Sequence, residues 1–249
     1  MSTANVVHGL WLGRNLGIME ELTLRSFTHF GHQFNLWHYE PLKGIDIPEG
    51  VMLRDGNEIL PQDRIFRYPQ NMILGFGGGS FVGFSELFRY KVLYELGGWW
   101  SDLDITCLNN LDDIQDSYFF RNHGVLSVVG NIMKVPPKSE LMFKCFERAE
   151  REVNDHQTDW HHAIRILCYN IEYLGLAQYI HGDACNLDRH EMVWELMKKP
   201  NSLKVIPASW RFIHWTNSCM DADYAWGSVF EQLCHNFRCK KLKRRAIYV

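Results

Sequence analysis

The chain has 249 residues, of which 46% are hydrophobic, and its formal net charge at pH 7 is −3. This composition supplies enough apolar side chains for one substantial core and is unlike that of a disordered chain. The slightly negative charge argues against a general nucleic-acid-binding protein, which would present a basic surface.

The sequence contains 7 cysteines, an odd number, without a Cys-x-x-Cys pair or the spacing of zinc ligands. We therefore expect free thiols in a reducing compartment. We find no signal peptide and no apolar run of membrane-spanning length. These features predict a cytoplasmic protein, soluble or peripheral at the inner membrane face, with one domain over residues 1–239 and a basic tail over residues 240–249.

The first forty residues alternate between strand and helix patterns. Residues 6–13 are a short apolar run that ends in glycine, and residues 33–39 alternate polar with apolar side chains. Between them, residues 17–30 place apolar side chains at helical spacing. A strand, a helix and a strand in succession predict a βαβ unit of a mostly parallel sheet, which binds ligands at the carboxyl ends of its strands.

Two irregular segments precede the next helix. Residues 41–69 contain prolines, glycines and an Asp55-Gly56 turn, and residues 74–83 contain five glycines. The glycine-rich segment lacks the Gly-Lys-Ser/Thr ending of a phosphate loop and has no strand directly before it. We therefore expect a flexible loop that orders over a bound ligand.

The central stretch of the sequence, residues 84–111, predicts a helix, a glycine stop at Gly97 and Gly98, and then a strand. Asp102 and Asp104 are two residues apart in this predicted strand. Because side chains two apart leave the same face of a strand, the two carboxylates would suit a hard cation such as Mg²⁺ or Mn²⁺.

An Asp-x-Asp triplet is a weak signal by itself, since Asp221 and Asp223 form a second one without the surrounding pattern. A solvated turn is the alternative. Glu86 and Arg89 lie three residues apart on one face of the predicted helix. Beside a metal ion they would hold a sugar and a diphosphate, and the alternative is a weak surface ion pair.

The second half of the chain predicts further strands and helices. Residues 125–129 are apolar enough to form an internal strand, and residues 139–153 and 160–176 have the spacing of amphipathic helices. His161 and His162 are adjacent on the second helix and point about 100° apart, so we assign neither to a metal site.

The residues around Asp102 resemble a known enzyme family. The sequence has SE-x-x-RY at residues 85–90 and LY-x-LGGWWSD-x-D at residues 93–104. This pattern is similar to the sugar-binding region of DXD-motif glycosyltransferases, which include capsule and lipopolysaccharide transferases, initiating mannosyltransferases and, distantly, the glucosylating clostridial toxins. The resemblance implies a single-domain α/β protein of the GT-A fold, with a mostly parallel central sheet flanked by helices, that transfers sugar with retention of configuration.

The resemblance also implies roles for four residues of this region. Asp104 would bind Mn²⁺ or Mg²⁺ directly, and Asp102 would bind it through water or contact the ribose. Arg89 would face the diphosphate of a nucleotide-sugar donor. Glu86 stands where most relatives have aspartate and would bind sugar hydroxyls, so its extra methylene group would change which sugar fits.

The resemblance extends to both ends of the chain. Residues 7–13, VHGLWLG, are similar to the family's I-H-x-x-W-x-G, in which Trp11 would stack on the nucleobase. Residues 210–218, WRFIHWTNS, resemble its closing segment, in which His214 would complete the metal shell or contact phosphate. An ordinary core tryptophan and a screened histidine are the alternatives for these two residues. The other donor-binding residues implied are Leu12, Gly13, Ser85, Trp215 and Asn217.

The function implied is a hexosyltransferase of surface polysaccharide synthesis that uses a UDP-sugar, with a GDP-sugar next, and a glycan or lipid-linked acceptor. A nucleotide-sugar hydrolase and a catalytically silent GT-A scaffold remain as other functions. Relatives often carry Gly-Pro near residue 160, where this chain has DWHHA, so acceptor contacts stay open there. A basic cluster would rest on anionic lipid near such an acceptor, with a solvated terminus as the alternative. It comprises Lys240, Lys241, Lys243, Arg244 and Arg245.

Overall fold

The computed structural model describes residues 6–216 and 224–240. The helices are α1 (Ile18–His29), α2 (Val82–Leu96), α3 (Glu140–Glu152), α4 (His162–Tyr173), α5 (His190–Lys198) and α6 (Val229–Asn236). The strands are β1 (Val6–Trp11), β2 (Gln33–His38), β3 (Val51–Asp55), β4 (Gly98–Ser101), β5 (Ile105–Cys107), β6 (Phe119–Asn122), β7 (Val128–Val135), β8 (Ile180–His181) and β9 (Phe212–His214). Within these described ranges, no helix is long and apolar enough to cross a bilayer.

Seven strands form one sheet in the order β3-β2-β1-β4-β7-β6-β8, and β5 pairs with β9 in a second, small sheet. Strands β1, β2, β3 and β4 are parallel neighbours, as the predicted βαβ unit requires. Strand β7 runs antiparallel to both of its neighbours, β4 and β6. The sheet is therefore largely parallel with one reversed strand inside it.

Helices cover both faces of the large sheet. Successive side chains of a strand point to opposite faces, so neighbouring residues of one strand pack in different cores. Trp99 packs in a core with Leu24 and Phe27 of α1, whereas Trp100 packs in the core that α2, α3 and α4 share. Both tryptophans are buried. The prediction of an α/β domain with a largely parallel central sheet flanked by helices is confirmed.

The predicted glycine stop of helix α2 is also confirmed. The N–H of Gly97 donates to the carbonyl of Leu93 at 2.9 Å, and Gly97 and Gly98 have φ angles of +65° and +90°. Glycine adopts these angles at little cost, so the chain can leave the helix and enter β4 within two residues.

Two predictions about strands were wrong. Strand β4 ends at Ser101, so Asp102, Leu103 and Asp104 form a turn between β4 and β5 instead of continuing a strand. The alternation argument for the two aspartates therefore does not apply. Val125 lies in the loop between β6 and β7 with 88% of its surface exposed, because the internal strand begins only at Val128.

Candidate active site

The turn that carries Asp102 and Asp104, here called the DXD turn, lies at the carboxyl edge of the large sheet. Strands β1 and β4 are parallel neighbours, so Trp11 at the end of β1 and Asp102 just beyond β4 leave the sheet on the same side. This edge is the usual place for a ligand in an open, mostly parallel sheet.

Neighbouring elements fix the backbone of the DXD turn. The N–H of Asp102 donates to the carbonyl of Asn131 on β7 at 2.8 Å. The hydroxyl of Thr23 on α1 donates to the carbonyl of Leu103 at 2.9 Å. These contacts tie the turn to a strand of the sheet and to helix α1, so the fold fixes its backbone.

The side chain of Asp102 is held by two donors. Arg89 Nη2 and Trp100 Nε1 both donate to its Oδ1, at 2.8 and 2.7 Å. Arg89 Nη1 also lies 2.6 Å from Glu86 Oε2 in an ion pair. Glu86 and Arg89 are buried, whereas 32% of the Asp102 side chain is exposed. The surface ion pair that was the alternative for Glu86 and Arg89 is therefore not what the fold forms.

A glycine on β7 makes room for this guanidinium. A Cβ atom on Gly130 would lie 2.4 Å from Arg89 Nη1, well inside van der Waals contact. On another side, the guanidinium carbon lies 5.0 Å from the centre of the Trp100 ring, within the range of a cation–π contact. Arg89 is thus confined by Gly130, Trp100 and its two carboxylate partners.

A second set of polar side chains meets Asp104. His214 at the end of β9 has Nε2 at 3.4 Å from Asp104 Oδ2. Its other ring nitrogen, Nδ1, hydrogen-bonds to Asp188 Oδ1 at 2.6 Å. The N–H of Trp215 donates to the Asp104 carbonyl at 2.9 Å, which brings the end of β9 against the DXD turn. The predicted proximity of His214 to Asp104 is therefore present in the fold.

Asp188 has partners of its own. Arg121 on β6 donates to it through Nη1 at 3.0 Å and Nη2 at 2.6 Å, and the same Nη2 donates to the Asn186 carbonyl at 2.5 Å. His123 Nε2 lies 3.4 Å from Asp188 Oδ2. The Asn186 side chain accepts from the His214 N–H at 2.8 Å and donates to its carbonyl at 2.9 Å.

The charges of this cluster shift the pKa values of its members. Burial would lower the pKa of His214, but the carboxylates of Asp104 and Asp188 outweigh burial and raise that pKa from 6.5 to about 9. Burial would raise the pKa of Asp188, but its bonds with His214 and Arg121 hold that pKa well below its usual range. For Asp102, burial raises the pKa more than the Arg89 guanidinium lowers it.

The donor set suits a divalent cation that shares its shell with a substrate. Mg²⁺ and related ions are usually held by one or two carboxylates together with substrate phosphates and water. Asp104 offers a carboxylate, and His214 would offer Nε2 after giving up its proton, while Nδ1 is occupied by Asp188 as is usual for a metal-ligating histidine. Within residues 6–216 and 224–240, no group of three or more His, Cys, Asp or Glu side chains could hold a metal by themselves. A cation here would therefore complete its shell with water or with ligands from the bound substrate.

The other donor-binding residues predicted from the sequence are distributed around this edge. Trp11 is partly buried, and its indole N–H is buried without a hydrogen-bond partner in the described part of the chain. Leu12 is partly buried, and Gly13 is exposed with a φ of +134°. Ser85 is half-buried on α2, directly before Glu86.

Trp215 does not fit its predicted contact with the donor. Its side chain is buried in the core that α5 and α6 share, where its indole N–H donates to the Thr106 hydroxyl at 2.8 Å. Its ring packs edge-on against Phe230, with the two ring centres 5.0 Å apart. The side chain therefore has no surface to offer a ligand, and only its backbone reaches the DXD turn.

Two other predictions concern residues that lie partly or wholly outside the described ranges. Asn217, predicted to contact the donor, lies outside them. Of the basic tail, only Lys240 is described, and its Nζ lies 2.6 Å from Asp46 Oδ2. The remaining tail residues outside the described ranges are Lys241, Lys243, Arg244 and Arg245.

The sequence patterns did not predict roles for Arg121, Asn186 and Asp188. One signal was present, because Arg121 follows two phenylalanines in a strand-like run, and a buried arginine must pair with a carboxylate. The partner itself could not have been identified, since Asp188 lies 67 residues further along the chain in an irregular segment.

Comparison with known families identifies the central segment. Residues 79–120 match the family described as the glycosyltransferase sugar-binding region containing a DXD motif. The matched segment contains Glu86, Arg89, Asp102 and Asp104, so the predicted resemblance to the sugar-binding region of DXD-motif glycosyltransferases is confirmed. A comparison with curated proteins found no match to the chain.

Several solved structures are weakly similar to this chain. The apo-form glycosyltransferase GlyE of Streptococcus pneumoniae TIGR4 is 14% identical with a TM-score of 0.48, and the match covers 95% of this chain but 60% of GlyE. The PaToxG glycosyltransferase is 11% identical with a TM-score of 0.46 and 68% of each chain covered. An active-site mutant of LgtC is 8% identical with a TM-score of 0.46, and 93% of this chain and 95% of LgtC are covered. These identities and TM-scores are too low to support a functional argument, so the proposed function rests on the matched segment and on the residues of the site.

Proposed function

We propose that this protein is a metal-dependent, retaining hexosyltransferase, because residues 79–120 match the sugar-binding region of DXD-motif glycosyltransferases. Its donor would be a nucleotide diphosphate sugar, with UDP-sugars favoured over GDP-sugars, and its acceptor a hydroxyl of a glycan or lipid-linked glycan in surface polysaccharide synthesis. The observation that carries this proposal is the DXD turn itself, in which Asp102 is tied to a buried Arg89 and Asp104 faces His214.

The two halves of the site would bind different parts of the donor. Asp104 and His214 Nε2 would hold Mn²⁺ or Mg²⁺, which when bound supplies positive charge to stabilise the leaving diphosphate. Arg89 lies close to the same turn, where Glu86 and Asp102 hold its guanidinium in place, and this cation would face the diphosphate. Trp11 lies at the same edge of the sheet, and its ring would stack on the nucleobase.

Glu86 would recognise the hydroxyl groups of the transferred sugar. Its carboxylate is buried, and its Oε2 is paired with Arg89 Nη1 at 2.6 Å. A carboxylate can accept several hydrogen bonds, so Glu86 would accept from sugar hydroxyls beside this ion pair. In a retaining reaction, the acceptor can attack on the face that the diphosphate leaves, so the scheme needs no protein nucleophile.

The first experiment is thermal unfolding of the protein with UDP-, GDP-, dTDP- and CMP-sugars, each with Mn²⁺ and again with EDTA. A ligand that binds only the native state raises the melting temperature. We expect a shift with one nucleotide family that requires the metal. If no donor shifts a folded sample that binds Mn²⁺, the catalytically silent scaffold becomes the better description.

Product analysis then separates transfer from hydrolysis. With the donor identified, free sugar and glycosylated product are measured with and without glycan acceptors. A transferase is expected to form glycosylated product at the expense of free sugar when a suitable acceptor is added. Release of free sugar at the same rate with every acceptor would instead identify a nucleotide-sugar hydrolase.

A further inference from the structure

His214 is contacted at opposite ring nitrogens by two different carboxylates. Nε2 faces Asp104 at 3.4 Å, and Nδ1 bonds to Asp188 at 2.6 Å. Since the two nitrogens lie on opposite sides of the imidazole, Asp188 sits behind the ring when viewed from the DXD turn. A group bonded to Nδ1 limits rotation of the ring and thereby determines where Nε2 points.

Asp188 is itself held from behind by Arg121. The guanidinium binds both carboxylate oxygens, at 2.6 and 3.0 Å, in the two-pronged geometry that fixes orientation as well as distance. Its Nη2 also donates to the Asn186 carbonyl at 2.5 Å. Only 1% of the Arg121 side chain is exposed, against 14% for Asp188, so Arg121 is anchored in packed protein.

The backbone of His214 is fixed as well. Asn186 accepts from the His214 N–H at 2.8 Å and donates to the His214 carbonyl at 2.9 Å. Its side chain is buried. With the backbone held by Asn186 and Nδ1 held by Asp188, Nε2 is the one ring nitrogen left to face Asp104.

We propose that Asp188, braced by Arg121, is a positioning residue that holds His214 Nε2 toward Asp104, so that these two side chains form a preset pair of ligands for a divalent cation. This inference rests on the proposed function, because it assumes that a cation binds at the DXD turn. Asp188 acts through His214, and Arg121 acts through Asp188.

The test measures Mn²⁺ binding to the full chain by titration calorimetry, without donor and without turnover. Asp188→Asn keeps the size of the side chain and removes its charge, and we expect Mn²⁺ affinity to fall by about 10- to 100-fold, as for other residues that orient metal ligands. Asp183→Asn removes the same charge from an exposed position in the same segment and should leave the affinity unchanged.

A double-mutant cycle distinguishes positioning from a general charge effect. If Asp188 acts through His214, Asp188→Asn should cause no further loss of Mn²⁺ affinity in a His214→Ala background. The same loss in both backgrounds would overturn the inference. Wild-type affinity in folded Asp188→Asn protein would also overturn it.

Asp188→Asn leaves the Arg121 cation without its carboxylate, so that variant alone could fail to fold. Arg121→Met/Asp188→Leu removes both charges together and is expected to keep the wild-type melting temperature while showing the same loss of Mn²⁺ affinity. If the wild-type protein transfers sugar with Mn²⁺ and this double variant keeps the wild-type Mn²⁺ affinity, the inference is overturned while the proposed function stands. Wild-type protein that binds neither Mn²⁺ nor Mg²⁺ would overturn the proposed function and the inference with it.

Discussion

The Arg89 guanidinium donates a hydrogen bond to the Asp102 carboxylate at 2.8 Å, which joins helix α2 to the DXD turn. The same guanidinium is paired with Glu86 at 2.6 Å, one helical turn away. Arg89 and Glu86 are buried, so neither charge can be screened by water. The part of the site proposed to bind the sugar is therefore also a structural link between the helix and the sheet.

We predict that Arg89→Met destabilises the fold as well as the site. The substitution leaves Glu86 buried without its cation, and breaking one partner of a buried ion pair costs about 3–5 kcal/mol. Urea unfolding of the variant and of wild type measures this loss. Arg89→Met/Glu86→Leu, which removes both charges, should recover most of the stability while still failing in transfer.

An exposed ion pair provides the control for this prediction. Arg64 pairs with Glu150 at 3.3 Å, and 46% and 42% of their side chains are exposed. Arg64→Met is expected to change the unfolding free energy by less than about 1 kcal/mol, as is usual for surface pairs. Equal losses for Arg64→Met and Arg89→Met would contradict the structural role of Arg89.

Asp104→Ala is predicted to abolish transfer while leaving the fold intact. The carboxylate is proposed to hold the cation that stabilises the leaving group, and removing such a group lowers kcat by about 100-fold or more. The matched control is Asp155→Ala, which removes an aspartate whose side chain is 62% exposed. Steady-state rates and melting temperatures of both variants, with Mn²⁺ present, are the measurements. Normal metal-dependent turnover by Asp104→Ala would rule out this assignment of the site.

Much of the topology could be predicted because it depends on local patterns. The apolar runs of β1 and β2, with a helical repeat between them, predicted the parallel βαβ unit. Gly97 and Gly98 predicted the end of α2, because few other residues adopt their backbone angles. The DXD turn could not be predicted in the same way, since its conformation depends on contacts with Asn131 and Thr23.

For a related reason, only part of the site could be predicted from the sequence. Glu86 and Arg89 are one helical turn apart, so their proximity follows from helix geometry. The support of His214 by Asp188 and Arg121 joins β6, β9 and an irregular segment that are distant in the chain. Such pairings are fixed by tertiary packing and leave no periodic signal in a single sequence.

Gly130→Ala is predicted to impair transfer through Arg89. The new Cβ atom would lie 2.4 Å from Arg89 Nη1, so the guanidinium must move away from Asp102 or the strand must shift. Such overpacking costs about 1–3 kcal/mol of stability. Gly182→Ala is the matched control, because a Cβ atom there meets nothing within 4 Å. Unfolding free energies and kcat of the two variants are compared, and wild-type values for Gly130→Ala would contradict the proposed confinement of Arg89.

His8 on β1 is predicted to make the fold sensitive to acid. The imidazole is buried, and its Nδ1 accepts a hydrogen bond from Trp37 Nε1 at 3.1 Å. Burial lowers its pKa from 6.5 to about 4. The unfolded chain therefore binds a proton at a pH where the folded chain does not. The stabilisation is fully present above pH 6.5 and is lost as the pH falls toward 4.

The size of this acid effect follows from the shift in pKa, at 1.36 kcal/mol for each unit, and is about 3 kcal/mol. Urea unfolding at a series of pH values between 4 and 6.5 should show wild-type stability falling by an amount that His8→Gln does not lose. His156→Gln replaces a histidine whose side chain is 90% exposed and should leave the pH profile unchanged. If His8→Gln loses as much stability as wild type across this range, another buried group causes the loss. His8 would then be protonated in the folded state as readily as in the unfolded chain.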